Sequence, residues 1–337
     1  MDRRTFLTTS LTAGGSMIIN SIESGAAEAL VETVLIGGSP VLALRRRHQL
    51  GRPPVLYVHG GSFPSALSVG YRFADGKAWE DALHAAGYDV WALDFEGFGG
   101  SERPAAFSRP PEQSPIVLRS EAAAQQVARA GRYIREATGR DRIAIIAHSW
   151  GTIPAMRFAT EHPEMIDRLA LFAPILQRQP AQAGGTLPNP LKVPSWNWYS
   201  VAQQIARFTA DTPNGEANVL AEPALEQWGP AWLATDSESS SHSPPAVRIP
   251  GGPQADIIAS WTGNDLYDPA ALRGRLCILR GEWDSLCTAA DVDRLKERAH
   301  DAAVSVTTIA RSGHLAHLEI NRVQLWNAAN KFLEERS

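Results

Sequence analysis

The chain predicts an α/β protein: a mostly parallel sheet flanked by helices, interrupted by one large insertion. Three observations predict it. Apolar runs of strand length alternate with helical patterns from about residue 31. The rhythm breaks from about Ile175 to Pro269 and then resumes. The length of 337 residues suits about two folding units, or one domain with an insertion.

In chain order, Val31–Ile36 and Val41–Arg45 read as an opening antiparallel pair turned at Gly37-Gly38-Ser39-Pro40. Pro54–His59 is a short buried strand. Ala78–Ala86 is helical, stopped by Gly87. Tyr88–Phe95 is the next strand. Arg119–Ala137 is a long helix ended by Gly139. A strand at Arg142–Ala147, a helix at Thr152–Glu161 and a strand at Ile166–Ala173 follow. The insertion, residues 175–269, is rich in Pro, Ser, Gly and Trp, and Asp236 to Pro253 reads as a loop. It separates a first core part, 30–174, from a second, 270–337. The second part holds a strand at Leu276–Arg280, a helix at Ala289–Ala299, a strand at Val304–Ala310 and a last helix from Arg322. Asn321 and Gln324 suggest a capping box for that helix.

Residues 1–29 read as an address. Arg3-Arg4 precedes the mild apolar stretch Leu11 to Ile22 and then small residues around Ala27-Glu28-Ala29. This resembles a twin-arginine export signal, with a mature chain starting near Leu30. It implies a periplasmic or secreted protein, or a cytoplasmic one if the signal is not functional.

Composition narrows the function classes. Hydrophobic residues make up 44%, enough for a core. The net charge of −4 gives no reason to expect nucleic acid or an anionic membrane surface. No apolar run is long enough to span a bilayer, so no stable membrane association is expected. The two cysteines, Cys277 and Cys287, are too few for a disulfide scaffold and show no metal-ligand spacing. Oligomeric state is left open.

Four motifs carry chemistry. The first is Ala147-His148-Ser149-Trp150-Gly151, between a strand and a helix. A sharp strand-to-helix turn needs small neighbours and presents the serine at a helix N-terminus, where N–H groups favour a developing oxyanion. The bland alternative is an N-cap serine. The second is His59-Gly60-Gly61-Ser62 after a strand, whose glycines let backbone N–H groups face a ligand. Gly61 and Trp150 are then the expected oxyanion donors. His59 reads as a buried hydrogen-bonding residue. The third is Arg280-Gly281-Glu282-Trp283-Asp284, with Asp284 favoured over Glu282 because it lies further into the loop at the carboxyl edge. The fourth is Ser312-Gly313-His314, where Gly313 frees the loop to aim His314 at the site. His317 is the rival, lacking a preceding glycine. The order Ser149, Asp284, His314 fits this sheet.

Together these motifs resemble the α/β-hydrolase superfamily across nearly the whole mature chain. Asp94-Phe95-Glu96-Gly97-Phe98-Gly99-Gly100-Ser101 is similar to that superfamily's Asp-x-x-Gly-x-Gly-x-Ser loop. The resemblance implies an eight-stranded sheet with a cap after the sixth strand. It also touches the proline-iminopeptidase branch, but this chain has His-Gly-Gly-Ser-Phe in place of His-Gly-Gly-Pro-Gly. Serine at the elbow, where related dehalogenases and epoxide hydrolases need aspartate, implies acyl transfer with no metal or organic cofactor.

Between Leu176 and Ala270, four basic residues face nine acidic ones, a balance of −5. The segment holds Trp196, Trp198, Trp228, Trp232 and Trp261. An acidic, tryptophan-rich lid suits a neutral, bulky, small-molecule ester or lactone. Ser62, Phe63, Tyr71, Trp196 and Trp198 are the expected substrate contacts, with Phe73 beside them; the alternative is that the tryptophans glue the cap to the sheet. An amidase or C–C bond hydrolase shares the same triad, and a ligand-binding protein on a silent hydrolase fold is the third class.

Overall fold

The computed structural model describes residues 7–11, 17–21, 31–179 and 188–335. Walking along the chain, β1 (Leu7–Leu11), β2 (Met17–Ser21), β3 (Val31–Ile36) and β4 (Leu42–Arg47) form an antiparallel run. Then come β5 (Pro54–Val58), α1 (Trp79–Ala85), β6 (Asp89–Asp94), α2 (Ser120–Thr138), β7 (Ile143–His148), α3 (Thr152–Glu161) and β8 (Ile166–Phe172). The insertion contributes β9 (Trp196–Ser200), α4 (Val201–Thr209), α5 (Glu222–Leu233), β10 (Ala246–Pro250) and α6 (Gly252–Trp261). The core resumes with β11 (Gly274–Gly281), α7 (Ala289–Arg298), β12 (Ala302–Ile309) and α8 (Arg322–Glu334).

The main sheet has ten strands in the order β1-β2-β3-β4-β6-β5-β7-β8-β11-β12. β6 pairs antiparallel with β4, and from β6 to β12 every pairing is parallel. The expected eight strands are β3 to β8 with β11 and β12. The two others fall within residues 1–29, part of which lies outside the described residues; β2 pairs Met17 with Leu35 on the edge of β3. β5, β6 and β7 are buried along their whole length, as parallel strands covered on both faces must be. α2 ends where Gly139 adopts a left-handed φ of 64°.

The insertion follows β8, the sixth of the eight strands, and sits over the carboxyl ends of the parallel strands. Its β9 and β10 pair antiparallel, Trp198 opposite Arg248. This corrects the loop expected over Asp236–Pro253, where Ala246–Pro250 is a strand. Its sequence is too short and Pro-flanked to announce one, and only pairing with β9 settles it. The expected capping box at Asn321 is also absent. The Asn321 amide donates to the Ala310 and Arg311 carbonyls instead, tying α8 back to the end of β12. Cys277 and Cys287 are both free and buried. No helix among the described residues is long and apolar enough to cross a membrane.

Candidate active site

β7 is a run of buried β-branched and small residues that ends at His148, and α3 starts four residues later. Ser149 closes this gap with φ of 53°, in the left-handed region that serine adopts only under constraint. Such a residue costs on the order of 1–3 kcal/mol, supplied by the surrounding packing. The turn leaves no room beyond it: a Cβ on Gly151 would collide with the His59 carbonyl. Thr152 Oγ1 donates to the Ser149 carbonyl at 2.6 Å and tightens the entry to α3.

The loops after β11 and β12 meet this serine. His314 Nε2 lies 2.7 Å from Ser149 Oγ, and His314 Nδ1 lies 3.0 Å from both oxygens of Asp284. With Nδ1–H given to Asp284, Nε2 is left as the acceptor for the serine hydroxyl. Asp284 is itself fixed by the Leu286 and Cys287 N–H groups at 2.8 and 3.1 Å. The structure thus joins Ser149, Asp284 and His314, residues 165 and 30 positions apart. Glu282 stands apart and accepts the Arg311 N–H.

Two carboxylates that the motifs do not announce hold this geometry. Asp211, just past α4, accepts the His314 N–H at 3.0 Å and the Ser285 hydroxyl at 2.5 Å. One cap residue therefore grips both loops that carry Asp284 and His314. Burial alone would raise the Asp211 pKa, but the Ser285 bond, Arg207 and His314 bring it below the usual value. The only sequence cue is the i,i+4 spacing of Arg207 and Asp211. Glu319 accepts the Gly313 N–H at 3.0 and 3.1 Å, one residue before His314.

Burial drives the Glu319 carboxyl from 4.5 to about 7. Between those values the folded protein keeps a proton that the unfolded chain releases, so stability falls as pH rises through that window. Glu319→Gln is expected to flatten this part of the profile. Urea denaturation of both proteins at pH 5 and pH 8 checks it, and parallel profiles would refute it.

The rival His317 sits outside the hydrogen-bonded line. It is buried against Phe63, ring centroids 5.9 Å apart, and against His148 at 4.5 Å. Neither ring nitrogen has a partner among the described residues. Burial and the neighbouring His314 lower its pKa to about 3, so it stays a neutral packing group. His148 is likewise pushed well below the normal range, by burial first and then by His317 and His314. His59 donates from Nδ1 to the Gly60 carbonyl at 2.6 Å and accepts the Phe95 N–H on Nε2 at 3.1 Å, the hydrogen-bonding role expected of it.

A cavity of about 350 Å³ opens beside Ser149 and runs under the cap. Gly61 and Trp150, the expected oxyanion donors, line it next to the serine, as do Ser62 and Phe63. α6 closes over Gly61 so tightly that a Cβ there would lie 2.7 Å from Pro253 Cβ. Phe208, Ile249, Ile257, Trp261 and Leu315 make most of the remaining wall apolar, and Gln203, Gln204, Asn197 and Arg207 add polar groups.

Tyr71, Trp196 and Trp198 do not line this cavity, which corrects the expectation for them. Tyr71 packs edge-on against Phe73, which in turn lies against Trp326 on α8. Trp196 packs on Phe107, and its indole N–H reaches the Ala106 carbonyl. Trp198 packs edge-on against Trp196 and lies under Arg248. Alternation along β9 sends these indoles away from the serine, while Asn197 and Tyr199 face it. Trp228 and Trp232 are stacked, fully buried, and donate to the Leu67 and Ser62 carbonyls. They fasten α5 to the loop after β5. Of the five cap tryptophans, Trp261 alone reaches the cavity wall. Trp261→Ala is expected to change the ratio of kcat/KM between small and bulky substrates about tenfold, within the range of one lost apolar contact, with Trp198→Ala leaving that ratio near wild type. A substrate-size series on both variants tests this; equal effects would overturn it.

No group of His, Cys, Asp or Glu among the described residues is arranged to hold a metal ion. The sequence profile of the α/β-hydrolase fold matches residues 53–212. No curated protein sequence matches the chain. Solved structures do. The thioesterase domain from the curacin biosynthetic pathway is 15% identical with a TM-score of 0.58, over 88% of this chain and 98% of that one. E-2-(acetamidomethylene)succinate hydrolase is 15% identical with a TM-score of 0.60, over 90% and 100%. The 2-hydroxy-6-oxo-6-phenylhexa-2,4-dienoate hydrolase from Rhodococcus sp. strain RHA1 is 18% identical with a TM-score of 0.58, over 90% and 98%. At such identities the likeness is one of fold. Sheet order, cap position and profile agree: the chain has the α/β-hydrolase fold, and its residues 53–212 match the profile of that family.

Proposed function

We propose that this protein is a serine hydrolase acting on a carboxylic ester or lactone with a bulky apolar portion. The observation that carries the proposal is the unbroken line from Asp284 through His314 to Ser149 Oγ at 3.0 and 2.7 Å, opening into a largely apolar cavity. Ser149 Oγ attacks the substrate carbonyl carbon as its proton passes to His314 Nε2. The Gly61 and Trp150 N–H groups receive the oxyanion, each such donor contributing about 3–4 kcal/mol. The tetrahedral species collapses, the leaving alcohol takes the proton from His314, and an acyl group remains on Ser149. Water repeats the sequence, releasing the acid and restoring the serine. Asp284 holds the His314 tautomer and stabilises the imidazolium.

The relatives' names include a thioesterase and two hydrolases of unsaturated acids, so the fold does not choose the scissile bond. The expectation of a neutral substrate rested on the −5 balance of the cap. Its acids Asp211, Asp236 and Asp256 are buried against arginines, and no carboxylate lines the cavity among the described residues. A panel of aryl esters, alkyl esters, lactones and aminoacyl amides, run with Ser149→Ala, tests the reading. Ester or lactone turnover that vanishes in the variant supports it. Turnover of amides alone moves the protein to peptidase chemistry.

We further propose export through the twin-arginine route, resting on Arg3-Arg4 and the small residues before Leu30. Replacing both arginines by lysine is expected to trap the protein in the cytoplasm. Fractionation reads the outcome, and unchanged periplasmic or secreted protein would refute it.

A further inference from the structure

Cap helix α4 brings one permanent charge to the cavity wall, the guanidinium of Arg207. Its carboxylate partner does not neutralise it fully. Arg207 Nη2 reaches Asp211 Oδ2 at 3.3 Å, and no other acceptor among the described residues takes its remaining N–H groups. Asp211 is meanwhile occupied by the shorter bonds from His314 N–H and Ser285 Oγ. Exposure separates the two partners. The Asp211 side chain is 2% exposed, whereas that of Arg207 is 32% exposed and borders the cavity.

A cation on a largely apolar wall, with most of its donors unspent, is set up to receive an anion. A guanidinium presents paired N–H groups whose spacing matches a carboxylate. The wall next to it adds uncharged polar groups, Gln203 and Gln204, and Gln204 Oε1 already accepts from Ser62 Oγ at 3.4 Å. The apolar residues Phe208, Ile257 and Trp261 complete the enclosure. We propose that Arg207 anchors a carboxylate carried by the substrate away from its scissile carbonyl, so that the substrate is an acidic ester or lactone with an apolar body. This inference rests on the serine-hydrolase reading and names its substrate class.

The test uses two 4-nitrophenyl esters of equal chain length, the mono-ester of adipic acid with its free carboxylate and the same compound capped as a methyl ester. Wild type is expected to prefer the free acid. Arg207→Gln should lower the acid-to-neutral ratio of kcat/KM by about 30-fold, mainly through KM, as loss of a charged hydrogen-bonded pair allows. Arg207→Lys should restore part of it. A wild-type ratio near one, or a ratio that Arg207→Gln leaves unmoved, overturns the subsite and makes Arg207 a brace for Asp211. Calorimetric binding of monoethyl adipate to Ser149→Ala, with and without Arg207→Gln, separates the two readings. Arg207-dependent binding without wild-type turnover of either ester keeps the subsite and removes the hydrolase. Neutral-ester turnover with no carboxylate preference does the reverse.

Discussion

Replacing His314 by alanine is expected to lower kcat by 10⁴- to 10⁶-fold, on the order seen when a triad base is removed, with KM changed little. Nothing adjacent can substitute. His148 is in ring contact with His314, and His317 with His148, but neither hydrogen-bonds the serine hydroxyl and both are held neutral well below the normal histidine range. A neutral ring without a hydrogen bond to Oγ takes no proton from it. His317→Ala is therefore the matched control. It opens a void against Phe63 and Phe172 and should lower Tm, with kcat within about fivefold of wild type, since it removes packing rather than a proton acceptor. Steady-state rates on the best ester of the panel, with Tm measured alongside, check both variants. Comparable kcat losses in the two would mean the base has been misassigned. Asp284→Asn adds a third comparison: it keeps the shape but weakens the pull on Nδ1–H, and should lower kcat without unfolding the loop that Leu286 and Cys287 N–H groups brace.

The parts legible in the sequence were those where local chemistry dictates position. β5, β6 and β7 are continuous apolar runs because both faces are covered, and their ends fall within one residue of expectation. Ser149 is readable because a strand-to-helix turn this tight needs Gly151 against the His59 carbonyl. Gly313 before His314 marks a loop that must bend back, and a Cβ there would press on Asp211 at 2.9 Å. The cap was less legible. β10 exists because β9 lies beside it, and α6 follows from packing over Gly61, neither of which leaves a periodic trace. Net charge is no guide to the cavity wall for a related reason. A sum of −5 says nothing of direction: Asp236 and Asp256 turn toward arginines while Arg207 borders the cavity. Tryptophan count misled similarly: alternation along β9 put Trp196 and Trp198 on the far side, and Trp228 with Trp232 became the fastening of α5.

Asp256→Ala is expected to destabilise the protein by about 3–5 kcal/mol, the usual result of removing one partner of a buried charged network. Asp256 lies on α6 and is fully buried. Its carboxylate accepts the Arg119 Nε at 2.5 Å, the Ser120 N–H at 2.6 Å and the Trp150 indole N–H at 3.0 Å. These three donors belong to the start of α2 and to the residue after the nucleophile. One cap carboxylate thereby binds the cap to the core and orients the Trp150 ring, which packs edge-on against Phe95. Burial raises its pKa, and Arg119, Trp150 and Ser120 oppose the rise. Removing it strands an arginine, a backbone N–H and an indole N–H at once. The variant should also lose activity beyond its loss of stability. α6 presses Pro253 onto Gly61, so a loosened α6 frees the loop whose N–H is proposed to hold the oxyanion. Denaturant titration measures the first effect. Measuring kcat at a temperature where both proteins remain folded measures the second. Loss of stability with wild-type kcat would confine Asp256 to docking the cap. Unchanged stability would mean that the network contributes little and that apolar packing alone seats α6.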